Sequence, residues 1–168
     1  EEHYEDISQA TEKGDFDYPR AVAGGLNVAF MSVYVPAEMQ DPGTAKPVAE
    51  KLIEMVREIQ RSAPEKFSLA SSTAQVMESV SRGQIAMVMG MENGAGLEDD
   101  LANVAYFHEQ GIGYVTLTHG KANLIADSSY DTERPWGGLS PYGREVVKEM
   151  NRVGIMVDIS HVSDETFY

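Results

Sequence analysis

Three apolar runs in this chain end abruptly in a residue able to bind a metal ion or to hold a developing negative charge. They are Ile85-Ala86-Met87-Val88-Met89-Gly90-Met91-Glu92, Gly113-Tyr114-Val115-Thr116-Leu117-Thr118-His119 and Gly154-Ile155-Met156-Val157-Asp158-Ile159-Ser160-His161. A carboxylate has two oxygens and can bridge two metal ions. A neutral imidazole is a common metal ligand, and an imidazole N–H can donate to an oxyanion. Glu92 is the only charged residue between Arg82 and Glu98, and Gly90 and Gly94 flank it closely. Such small neighbours let a ligand approach the backbone. Each residue alone also has a plainer reading: a surface carboxylate on a loop, or a half-buried histidine bonded to a carbonyl. Their common placement carries the argument, because the carboxyl ends of successive buried strands are where an α/β-barrel assembles its active site.

The elements that must position these residues can be read from periodicity and punctuation. Residues 1–20 are a polar, acidic lead-in that ends at Pro19-Arg20. Leu26 to Val35 is an apolar run ended by Pro36, a buried strand. Glu38 to Pro47 holds Pro42, Gly43 and Pro47 and predicts a loop. Val48 to Arg61 places Leu52, Ile53, Val56 and Ile59 on one helical face, and Pro64 blocks continuation. Ser72-Thr73 caps a helix running to Arg82, with Val76, Met77 and Val80 as its apolar stripe and Gly83 as its end. A strand over Ile85 to Met89 leads to Glu92. The next helix spans Leu97 to Gln110, with Leu101, Val104 and Ala105 inward and Gly111 as the stop. Tyr114 to Leu117 is a strand, and Gly120 to Gly138 a long loop. Ser140 as N-cap and Pro141 at the first position open a helix on Val146, Val147 and Met150. Gly154 ends it, Ile155 to Ile159 is a strand, and Ser163 caps a further helix.

Apolar strands alternating with amphipathic helices predict a parallel sheet. About four strand units are visible, whereas a (β/α)8 barrel takes about 250 residues. The fold class expected is therefore α/β, a TIM-type barrel of which about half is present. The chain of 168 residues has 42% hydrophobic residues, enough for a core, and a formal charge of −14. Nucleic-acid and anionic-membrane partners call for basic patches and are not expected. No cysteine is present, so any metal must be held by His, Asp or Glu, which suits zinc, manganese or iron. No signal peptide or membrane-spanning run is visible, and of the compartments the cytoplasm is favoured. A half-barrel exposes sheet edges and apolar surface, so the 168 residues alone are expected to be unstable or to associate, for example as a homodimer.

Two histidines are set aside. His108 is expected to pack at the edge of its helix, and His3, within His3-Tyr4-Glu5-Asp6, belongs to a solvated lead-in. The loop from Gly120 to Gly138 is long enough to shape a substrate pocket, with Asn123, Asp127, Tyr130, Arg134 and Trp136 as candidates.

Several stretches resemble one family. Gly24-Gly25-Leu26 with Phe30-Met31-Ser32-Val33-Tyr34-Val35-Pro36, then Gly90-Met91-Glu92, then Tyr114 to His119, are similar to the renal (membrane) dipeptidase family. The match is strongest in Gly138-Leu139-Ser140-Pro141-Tyr142-Gly143, Val146 to Arg152 and Val157 to Ser163. The resemblance implies a metal-dependent hydrolase barrel that cleaves dipeptides with two zinc ions. Glu92 matches the bridging glutamate, His161 a ligand of the second zinc, and His119 the histidine that contacts substrate and stabilises the tetrahedral intermediate. Asn123 and Asp127 are the further substrate-binding candidates. The family's His-x-Asp pair would lie upstream of Glu1, and a further histidine ligand and a catalytic aspartate beyond Tyr168. Relatives often carry Asn where this chain has Ala122, with Asn123 next to it. The whole chain is thus expected to be part of one metallo-dipeptidase barrel domain, catalytic in the complete protein and inactive as 168 residues alone. Two other readings are another metal-dependent amidohydrolase or deacylase, and a homologue without catalysis.

Overall fold

An uninterrupted apolar strand must be covered on both faces. In the computed structural model, which describes residues 5–41 and 43–168, Val88 and Glu92 are the only residues of the strand Ile85–Glu92 not fully buried. His3, Tyr4 and Pro42 lie outside the described residues. The element order is α1 (Tyr18–Ala23), β1 (Val28–Tyr34), a 3-10 turn (Ala37–Met39), α2 (Ala45–Ser62), β2 (Phe67–Leu69), α3 (Thr73–Ser81), β3 (Ile85–Glu92), a second 3-10 turn (Gly94–Leu97), α4 (Ala102–Glu109), β4 (Ile112–Thr116), α5 (Pro141–Val153), β5 (Met156–Asp158) and α6 (Asp164–Phe167). The sheet runs β1-β3-β4-β5, with β2 also paired to β3. The pairs β2–β3, β3–β4 and β4–β5 are all parallel, as the alternation of strands and helices predicts.

The residues form two compact units. The first holds residues up to Met31 together with Glu54–Val88. Its core includes Phe67, Ile85, Ala86 and Met87, and the Tyr18 ring meets Phe67 edge-on at 5.5 Å. Asp17 caps α1 and accepts from the backbone N–H of Arg20 and of Thr11. These bonds hold its carboxyl down at about 2. The second unit holds Ser32–Ile53 and Met89–Tyr168, with Met91, Leu97, Val104, Phe107, Val115, Leu117, Val146 and Met150 buried.

Four features differ from the sequence expectation, each for a physical reason. β2 was not anticipated: three residues show no period, and Phe67–Leu69 becomes a strand by pairing with Ile85, Ala86 and Met87. In α3 the expected stripe residue Met77 is 68% exposed while Ser79 is buried. The Ser79 hydroxyl is satisfied by Ser68 Oγ and the Gln75 carbonyl, so the buried face can run through it. The expected helix from Leu97 starts only at Ala102, because Glu98 adopts φ 54° and breaks the run; its His108 is exposed rather than packed. Finally, α2 begins at Ala45, inside the expected loop, and Pro47 sits in its first turn, where a missing N–H costs nothing.

That early start has a remote cause. The buried Glu98 carboxylate accepts from the backbone N–H of Gly43 and of Lys46, both at 2.9 Å, at the positive end of α2. Burial pushes the Glu98 carboxyl up, but the donors at Gly43, Lys46, Ala45 and Thr44 outweigh it and hold it below the ordinary range. A depressed folded value means that this stabilisation is complete above the unfolded pKa and fades as pH falls through the folded one. Glu98→Gln should cost about 1–3 kcal/mol at neutral pH. The gap to wild type should begin to narrow below the unperturbed glutamate value of about 4.3 and close as pH falls through the folded one, as urea unfolding at several pH values would read.

Candidate metal centre

Strand register does the positioning. Met91 pairs with Val115 and Val115 with Val157, while Thr116 pairs with Asp158. Glu92, Thr116 and Asp158 therefore end their strands in one row. His119 follows Thr116, and His161 follows Asp158, at the same interval along the chain. The ligand atoms of Glu92, His119 and His161 lie within 4.8 Å of one another, and all three residues are half-buried. His119 Nε2 is 3.2 Å from Glu92 Oε1, and the rings of His119 and His161 meet at 4.5 Å.

The backbone at two of these strand ends is forced. Asn93, next to Glu92, has φ 73°, and His161 has φ 67°. A non-glycine residue in that region costs of order 1–3 kcal/mol and persists only where its surroundings over-determine it. The carbonyl of His161 accepts from the Ser129 N–H at 2.8 Å, the Ser129 hydroxyl at 3.1 Å and the Thr118 hydroxyl at 3.3 Å. The carbonyl of His119 accepts from the Ser128 hydroxyl. Asn93 Oδ1 accepts from the Ala95 N–H at 3.2 Å and from Asn123 Nδ2 at 2.8 Å. Beside the row, Asp158 accepts from the Thr116 hydroxyl at 2.6 Å and from the Ser160 N–H at 2.9 Å. Burial pushes the Asp158 carboxyl up, but these bonds outweigh it and keep it below the usual carboxylate range. Burial pushes the Tyr114 phenol up, and the charges of Glu92 and Asp158 add to that. The Tyr114 ring lies where a Cβ on Gly90 would stand, 1.8 Å from it, so any larger residue at position 90 would have to displace that ring.

The expected site residues divide into two sets. Glu92, His119 and His161 come together. Asn123 and Asp127 are buried in the long loop. Asn123 Nδ2 donates to the Leu117 carbonyl at 2.7 Å as well as to Asn93, and its Oδ1 accepts from the N–H of Ile125 and of Ala126. Asp127 accepts from the N–H of Trp136 at 3.2 Å and of Gly138 at 2.9 Å. The Trp136 indole N–H donates to the Asn123 carbonyl. Of the other loop candidates, Tyr130 is 71% exposed and its ring lies 5.6 Å from His161. Arg134 is exposed.

Sequence reasoning missed Ser32, Tyr34, Ser128 and Ser129. Ser32 Oγ donates to Glu92 Oε2 at 2.5 Å, and the Tyr34 ring stands 5.0 Å from His119. A polar Ser32 between Phe30 and Tyr34 on one face of an apolar strand was the available signal; Ser128 and Ser129 offered none.

The donor set fits a metal ion. The Glu92 carboxylate and the His161 imidazole are nitrogen/oxygen donors suited to zinc, and His119 lies within the same 4.8 Å. This is the one such group among the described residues. Because Asn123 links the loop to both strand ends, Asn123→Ala should cost about 2–4 kcal/mol. It should also speed hydrogen exchange at the Ile125 and Ala126 amides, while an unchanged exchange rate would deny it that role.

The profile of the membrane dipeptidase family (peptidase family M19) matches residues 1–168. Dipeptidase tcpJ of Claviceps purpurea is 35% identical over 159 residues, which cover 90% of this chain and 37% of that protein. Among solved structures, an amidohydrolase from Pseudomonas aeruginosa is 30% identical with a TM-score of 0.79, covering 89% of this chain and 43% of that one. The probable dipeptidase PvdM from Pseudomonas aeruginosa is 26% identical with a TM-score of 0.85, covering 94% and 43%. The chain thus spans well under half the length of these relatives. Its fold class is theirs, the barrel of metal-dependent hydrolases expected from the sequence, with about half of it here. No helix among the described residues is long and apolar enough to cross a membrane. Matched from its first residue to its last, the chain belongs to the membrane dipeptidase family.

Proposed function

We propose that the protein carrying this chain hydrolyses dipeptides, using two zinc ions bridged by Glu92, and that the chain is part of one such barrel domain. The observation that carries this reading is the convergence of Glu92, His119 and His161 within 4.8 Å at the ends of parallel strands. When bound, the metal pair supplies Lewis acidity and lowers the pKa of a water from about 16 towards about 7, giving a nucleophile at neutral pH.

The chain's own residues hold and orient. Glu92 presents two oxygens with different neighbours, Oε1 towards His119 and Oε2 towards Ser32, and as a bridge it would give one oxygen to each ion. His161 is the imidazole ligand of the second ion, its ring aimed by the pinned carbonyl of a left-handed residue. His119 lies beside both and offers an N–H to the oxygen that gains charge when the peptide carbonyl is attacked. Asn123 and Asp127 serve the substrate indirectly, by holding the loop from which Tyr130 reaches the His161 ring.

Elemental analysis of the full-length protein should find about two zinc ions per chain. Glu92→Ala should lose the metal pair and with it turnover; full metal content and activity in that variant would sink the proposal. His119→Ala should keep the metals and lower kcat by about 10²–10³-fold, and an unchanged rate would remove it from catalysis. The likeness to a protein described as an amidohydrolase motivates a second reading, a wider range of amides. A panel of dipeptides with L- and D-configured second residues and of N-acyl amino acids separates the two: cleavage of the N-acyl compounds alone would favour the second.

A further inference from the structure

We propose that Ser32 is the positioning residue for the metal-bridging carboxylate, a role that rests on the metallohydrolase reading above. β1 alternates so that Phe30, Ser32 and Tyr34 share one face while Val33 is buried on the other. Two of the three act on the candidate centre. Ser32 Oγ donates to Glu92 Oε2 at 2.5 Å. Tyr34 packs edge-on against the His119 ring at 5.0 Å and 68°.

The terminal torsion of a glutamate is broad and roughly two-fold, so a free carboxylate does not keep one oxygen on one side. A hydroxyl has a single proton to give. Donated to Oε2, it makes the two oxygens inequivalent and holds Oε1 towards His119, 3.2 Å from Nε2. Each carboxylate oxygen has two lone pairs, so Oε2 can keep the Ser32 bond while a lone pair remains for a metal ion. The hydrogen bond thus sets the direction of the remaining lone pairs before any ion arrives. Partners that orient a ligand in this way are typically worth about 10–100-fold in metal affinity.

The test uses the full-length protein and its Ser32→Ala and Ser32→Thr variants, with zinc affinity measured by competition against a chelator and the unfolding midpoint of each metal-free protein measured beside it. Ser32→Ala should bind zinc about 10–100-fold more weakly. Ser32→Thr, which keeps the hydroxyl, should restore most of the loss, and the metal-free midpoints should coincide. Wild-type affinity in Ser32→Ala overturns the inference, as does a loss in Ser32→Thr equal to that in Ser32→Ala. A metal-free midpoint that falls with the affinity also overturns it, because the loss would then be structural. Wild-type protein that binds no zinc overturns the metallohydrolase reading and the inference together, whereas zinc-replete wild type with an unaffected Ser32→Ala overturns the inference alone.

Discussion

The candidate centre depends on the parallel register of β3, β4 and β5. Side chains on a strand change face with every residue, so a slip of one position would turn each ligand away from the others. The register is not uniform. Met89 pairs with Ile112 but Gly90 pairs with Tyr114, leaving Gly113 as an extra residue on β4. Without that bulge Glu92 would stand opposite Val115, a buried apolar residue. With it, Glu92 joins the row of Thr116 and Asp158. Bulges beside active sites re-aim side chains in this way. Gly90 accommodates the adjustment because the Tyr114 ring takes the space of its missing Cβ.

The register delivers three strand ends, and the long loop fixes the residues just beyond them. Asn123, through one amide group, joins Asn93 after β3 to Leu117 after β4 and shapes its own loop at Ile125 and Ala126. Ser128 and Ser129 then hold the carbonyls of His119 and His161. The Asp127 carbonyl accepts from Ser163 N–H at the start of α6. A left-handed histidine is tolerable in such surroundings because several donors converge on one carbonyl. The candidate centre and the loop conformation are therefore mechanically connected: the residues that order the loop also order the histidines.

Buried acids in this chain work chiefly as backbone acceptors. Glu98 substitutes for a local cap on α2, Asp17 caps α1, and Asp127 closes the turn through Trp136 and Gly138. The formal charge of −14 therefore includes carboxylates committed to fold geometry, and counting acidic residues would not reveal which of them face a ligand. Glu92 is set apart by its neighbours, a serine hydroxyl and an imidazole, both side chains.

Much of the fold was legible because it rests on local physics. Ser140-Pro141 and Gly154 bound α5 as their backbone preferences require, and Ser72 and Ser163 cap their helices through their own hydroxyls. Apolar runs marked β1, β3, β4 and β5, and the three candidate site residues were visible as polar residues ending such runs. What remained hidden was non-local. β2 exists only through its partner, α2 starts early because of a carboxylate far along the chain, and Ser79 could be buried because Ser68 meets it. Asn123 and Asp127, polar residues in a long loop, carried the same sequence signal whether they faced a ligand or held the loop. Residue type and spacing determined which elements form and which chemistry they can carry. Tertiary structure decided which of those residues meet, because hydrogen bonds and register between distant segments have no imprint on local composition.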